Sequence, residues 1–135
     1  MAHSIQVIGT TSQVFNDLDL IALLCLMLDE VRRHPEEFST IAPTVRGWSA
    51  SLADYGPGVI ELDLASLASS HVERNELEAL LSLVERTARR FGSIPASFLN
   101  TESCAPGIEF SDYQSDLVSR TVEKLRMLLS AGRVE

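Results

Sequence analysis

Pairs of carboxylates are the residues of this sequence whose spacing comes nearest to a chemical site. Glu61 and Asp63 lie two residues apart, so on a strand both side chains would point to the same face. General acid–base catalysis needs two such groups in a pocket that separates their pKa values, and the surrounding sequence indicates no pocket. We interpret the pair as the solvated face of an amphipathic strand, with an acidic docking surface as the alternative.

The docking alternative draws on the acidic and aromatic side chains of residues 35–65. Carboxylates would pair with the cations of a partner, and aromatic rings would act as anchors. The candidate partner-binding residues are Glu36, Glu37, Trp48, Asp54, Tyr55, Glu61 and Asp63.

Other chemistries lack the residues that they need. Zinc sites require three or four converging ligands, whereas the histidines are far apart in the sequence: His3, His34 and His71. Cys104 has only acidic titratable neighbours, which disfavour a reactive thiolate. Residues 56–58, Gly-Pro-Gly, lack the lysine and the serine or threonine of a phosphate-binding loop. The sequence therefore predicts no metal, no cofactor and no catalytic residue.

The charge of the chain excludes one class of partner and favours another. Nineteen acidic residues against eleven basic ones give a net charge of −8, and Lys124 is the only lysine. Such a chain is repelled by nucleic acid at long range and attracts basic proteins. Residues 1–68 carry nine carboxylates against three arginines, so most of the excess negative charge belongs to the first half.

Length and hydropathy indicate a single compact domain over residues 1–135. The longest apolar run, Leu20 to Leu28, is too short for a bilayer, which needs about 20 apolar residues, so it predicts a buried helix and no membrane association. Cys25 lies within this run, and two cysteines are too few for a disulfide framework. The first residues lack the pattern of a signal peptide. We expect a cytoplasmic protein.

The elements that must position the candidate residues are mainly helices. Capping residues and apolar spacing predict three of them, at about 16–34, 70–91 and 111–131. The β-branched start at 4–8 predicts a strand that pairs with a later segment. The predicted fold is α+β and predominantly helical, with a small β-sheet or hairpin from 4–8 and 45–64. The alternative is an all-α bundle.

Two patterns compete between residues 45 and 55. Val45, Trp48, Leu52 and Tyr55 follow one another at helical spacing. Trp48, Ala50 and Leu52 also alternate with small polar residues, and 59–64 alternates more clearly, which would suit a β-hairpin. The strand at 59–64 is the firmer prediction, and 45–55 stays open between helix and strand.

Three function classes agree with these features. The first is a non-catalytic acidic protein that occludes a basic, nuclease-like toxin, as the immunity proteins of bacteria do; here the comparison rests on size, charge and lack of catalytic groups. The second is a small enzyme or ligand-binding domain with a dispersed site near Trp48 and Tyr55. The third is a homo-oligomeric scaffold, a homodimer for instance, in which the apolar stripes of the last two helices pair between copies.

Overall fold

The computed structural model of the chain describes residues 3–8, 10–55, 62–64, 67, 70–102 and 112–131. Within them the fold is α+β and mainly helical, as predicted. The elements in chain order are β1 (His3–Ile8), β2 (Thr11–Asn16), α1 (Asp17–Arg33), α2 (Ala42–Tyr55), α3 (His71–Phe91), β3 (Ser93–Ile94), α4 (Ala96–Glu102), β4 (Tyr113–Gln114) and α5 (Ser115–Ala131).

Helix α1 is the centre of the core. The Asn16 side chain accepts a hydrogen bond from the N–H of Leu18 at 2.9 Å and caps the start of the helix. Every residue from Leu20 to Leu28 is buried, and α1 contacts α2, α3, α4, α5 and β2. The apolar run is therefore covered on all sides within the chain, which confirms the prediction of a buried helix. No helix among the described residues is long and apolar enough to cross a membrane.

Helices α3 and α5 pack against each other and against α1. Ser70 caps the start of α3, and Gly92, with φ of 68°, ends it. Helix α5 begins at Ser115 instead of residue 111, because Tyr113 and Gln114 first pair with β3. The apolar stripes on which the scaffold hypothesis depended are buried against this chain's own core: Leu77, Leu80, Leu81, Val84, Ala88, Val118, Val122, Leu125, Leu128 and Leu129.

The predicted strand at 4–8 is confirmed and pairs with a later segment, but that segment is not 45–64. Strand β1 pairs with β2 directly after it, in an antiparallel hairpin whose register runs from Ile8 opposite Thr11 to His3 opposite Asn16. A connection of two residues brings the strands together at far lower entropic cost than a partner some 40 residues later. The sequence of β2, Thr-Ser-Gln-Val-Phe-Asn, does not alternate polar and apolar residues, so the usual signal of a strand is absent there.

The structure decides between the two patterns in 45–55, and it corrects the strand prediction for 59–64 at the residues that it describes, 62–64. Residues 45–55 belong to α2, since helical spacing puts both Val45 and Trp48 into the core. Residues 62–64 form no strand, although Leu62 and Leu64 are buried and Asp63 is exposed, as the alternation indicated. Residues 59–61 lie outside the described part of the chain.

Candidate partner-binding site

The connection between α1 and α2, residues 34–41, places two of the candidate carboxylates in solvent. Glu36 and Glu37 are exposed, while Phe38 and Ile41 beside them are fully buried. We call this segment the acidic turn. Its first hydrogen bond runs from the N–H of His34 to the carbonyl of Glu30 at 3.0 Å, and its next from the N–H of Phe38 to the carbonyl of His34. The turn therefore continues directly from the end of α1.

The far end of the acidic turn is held by a side chain of α3. One carboxylate oxygen of Glu76 accepts hydrogen bonds from the N–H groups of Thr40 and Ile41, at 3.0 and 3.1 Å. A carboxylate at this position satisfies backbone donors that precede the first turn of α2 and meets the positive end of that helix dipole. Because both ends of the turn are attached, the backbone of Glu36 and Glu37 is positioned before any partner arrives.

His34 connects the turn to the interior. Its two ring nitrogens lie 3.6 Å from carboxylate oxygens of Glu30 and Glu37, and its ring meets Phe38 edge to face at 6.2 Å between centroids. Glu30 is buried and accepts a hydrogen bond from the Thr87 hydroxyl at 3.1 Å. His34 thus lies between Glu37 in solvent and Glu30 in the core. Among the described residues, no group of three or more metal-ligating side chains is arranged to hold a metal ion.

The remaining candidates do not gather around the acidic turn as a set. Trp48 is only 8% exposed and packs in the core, so it offers little aromatic surface to a partner. Asp63 is exposed. The side chains of Asp54 and Tyr55, and the whole of Glu61, lie outside the described part of the chain.

Sequence reasoning missed a cleft of about 230 Å³ between α1 and α2. Arg32 and Arg46 line it together with Ser49, and Leu28 and Val31 form its apolar wall. Guanidinium groups bind carboxylate and phosphate through planar pairs of N–H donors. The arrangement can therefore accept a small anion with an apolar part. The signal that could have found it is the spacing of Arg46 and Ser49, which share one face of α2.

The residues that hold the acidic turn in place are far apart in the sequence, so their contacts could not be predicted from it. Glu76 is 36 positions from Thr40, and Thr87 is 57 positions from Glu30. Both glutamates lie on well-predicted helices, but only the packing of α3 beside α1 shows what they contact.

Comparison with protein-family models, with curated proteins and with solved structures finds no match to this chain.

Proposed function

We propose that this chain is a non-catalytic protein-binding protein that neutralises a basic, nuclease-like toxin in the cytoplasm by occlusion, as bacterial immunity proteins do. The observation that supports this best is the acidic turn, where Glu36 and Glu37 are exposed on a backbone attached at both ends. A docking element of this kind loses little conformational entropy when it binds.

The mechanism follows from charge competition. A nuclease holds the phosphates of its substrate with lysine and arginine side chains, and the carboxylates of Glu36 and Glu37 would pair with the same cations. Once they are paired, nucleic acid is excluded from that surface. The net charge of −8 accelerates the encounter, because the field of the whole chain attracts a basic partner.

The burial of Trp48 determines which interactions contribute most to the proposed binding free energy. Since its ring is buried, the described part of the site is polar, and charge contributes more to binding than aromatic contact does. Interactions between exposed charges weaken as salt shortens the Debye length, which is about 10 Å at 0.1 M ionic strength. Association should therefore be fast at low salt and fall steeply as salt is added.

The test is association with a basic nuclease domain encoded beside this chain, measured by biolayer interferometry at low and high salt. The double variant Glu36→Lys/Glu37→Lys should weaken binding by about tenfold or more, equivalent to about 1.4 kcal/mol, and reduce the salt dependence. It should also restore nuclease activity in the mixture.

The matched control is Asp116→Lys/Glu123→Lys, which changes the net charge equally on exposed positions of α5. This variant should retain most of the affinity. Absence of binding by the unmodified chain at low salt would refute the proposal. Equal weakening by the two variants would assign the effect to net charge and would refute a role for the acidic turn.

The arginine-lined cleft favours a second candidate, a binding domain for small anions. Inorganic phosphate or hexanoate should then raise the midpoint of thermal unfolding, and Arg46→Ala should remove that rise while Arg120→Ala, an exposed arginine of α5, should not. No shift with either anion would exclude both as ligands of the cleft.

A further inference from the structure

Part of the hairpin of β1 and β2 has its polarity reversed, although Ile8 and Phe15 on its inner face are buried in the core. On β1, Ser4 and Gln6 point inward and are buried, whereas Ile5 and Val7 point outward with exposed fractions of 61% and 50%. Val14, opposite Ile5 on β2, is exposed by 50% as well. A strand with one solvated face usually places its apolar side chains inward. We call Ile5, Val7 and Val14 the hairpin face.

The buried polar side chains of β1 have partners, so the reversal is a stable arrangement. The Ser4 hydroxyl donates to a carboxylate oxygen of buried Asp17 at 2.5 Å. The Gln6 side-chain oxygen accepts from the N–H of Leu62 at 2.8 Å. A register shift of one residue would bury Ile5 and Val7 but would break both hydrogen bonds. These contacts therefore keep the apolar side chains in solvent.

The hairpin also lies in the longest part of the sequence without charged side chains. Residues 1–16 contain no Asp, Glu, Lys or Arg, in a chain of which 22% of the residues are charged. Natural edge strands are normally protected from pairing by charged residues or proline. Strand β1 has neither.

The outer edge of β1 has no neighbouring strand among the residues that the structure describes. The Val14 carbonyl accepts a hydrogen bond from Lys124 of α5 at 2.8 Å, so it points away from β1. In an antiparallel ladder, opposite residues either exchange both bonds or direct their groups outward, and Val14 faces Ile5. The N–H and C=O of Ile5 therefore point to the other edge, as do those of Val7. Within the described residues this sheet has two strands, so none lies beside that edge.

From these observations we infer that β1 is the interface for a second copy of this chain. Each copy carries a net charge of −8, so approach through most other surfaces brings carboxylates together. The hairpin contains no carboxylate, so two copies can approach through it without this repulsion. Antiparallel pairing of β1 with β1 of the second copy about a twofold axis is self-complementary, and it joins two hairpins into a four-stranded sheet. With Ile5 opposite Ile5 at the axis, the apolar side chains of both hairpin faces lie on the same side of the joined sheet.

Sedimentation velocity across the micromolar range tests this directly. The unmodified chain should show a concentration-dependent dimer. Ile5→Lys should raise the dimer dissociation constant by about tenfold or more, because two lysines then meet at the twofold axis. The matched control is Val72→Lys, which places the same charge at an apolar residue of α3 that is exposed by 57%. It should leave dimerisation unchanged.

Amide hydrogen exchange of the unmodified chain gives a second readout that needs no variant. The N–H groups of Ile5 and Val7 should gain protection as concentration rises, whereas that of Gln6, which faces β2, should not change. A monomer at all concentrations, a dimer that Ile5→Lys leaves intact, or exchange at Ile5 and Val7 that is independent of concentration would overturn the inference.

Discussion

The acidic turn and the hairpin face are both exposed, but they are built in opposite ways. The turn displays charge above the buried apolar residues Phe38 and Ile41, whereas the hairpin displays apolar side chains and buries the polar Ser4 and Gln6 beside Ile8 and Phe15. In each case the buried residues determine which side chains reach solvent. The difference shows that this strongly acidic chain exposes one charged and one uncharged, apolar surface, and the two proposals made above assign these surfaces to different partners.

Removal of the apolar base of the turn should have the largest effect. Phe38→Ala should lower the free energy of unfolding by about 3–5 kcal/mol, because it empties a fully buried aromatic site. Urea unfolding followed by circular dichroism measures this loss. A cost below about 1 kcal/mol would show that the turn does not depend on its buried side.

Removal of one polar contact beneath the hairpin should have an intermediate effect. Ser4→Ala should cost about 1–3 kcal/mol, since the buried carboxylate of Asp17 loses a hydroxyl donor. Ser12→Ala is the matched control in the same hairpin, at an exposed position, and should stay within about 0.5 kcal/mol of the unmodified chain. Similar midpoints of urea unfolding for the two variants would contradict the reversed polarity.

Release of the far end of the acidic turn should have the smallest effect on stability. Glu76→Ala should cost about 1 kcal/mol, because the N–H groups of Thr40 and Ile41 lose their acceptor but lie where water can replace it. Glu76→Gln keeps an oxygen acceptor and should cost less. Exchange of these two amides should accelerate most in Glu76→Ala. Unchanged exchange would show that the turn is held by Phe38 and Ile41 alone.

The sequence carried most of the information on the helices because their signals are local. Asn16, Ser70 and Gly92 mark helix ends through capping groups a few residues away, so α1 and α3 begin and end within one residue of the prediction. The apolar spacing of α5 was equally clear. Its start was placed four residues too early, because the pairing of Tyr113 with Ile94 depends on a strand 19 positions earlier in the chain.

The sheet and the site were harder to predict because their contacts are chosen by packing. The β-branched residues of 4–8 identified a strand but not its inward face, since Ile5 and Val7 point outward and Ser4 meets Asp17 only after α1 has folded. Glu36 and Glu37 were identified by their charge. Trp48 was considered an anchor on residue type alone, and its burial follows from the helical spacing that it shares with Val45.

The burial of α1 on all sides also has a consequence for synthesis of the chain on the ribosome. The run from Leu20 to Leu28 is made early, yet part of its cover comes from α5, which ends about 100 residues later. At about 5–20 residues per second, the side of α1 that α5 covers stays without its partner for about 5–20 s. A chain truncated before α5 would keep that side of α1 exposed permanently.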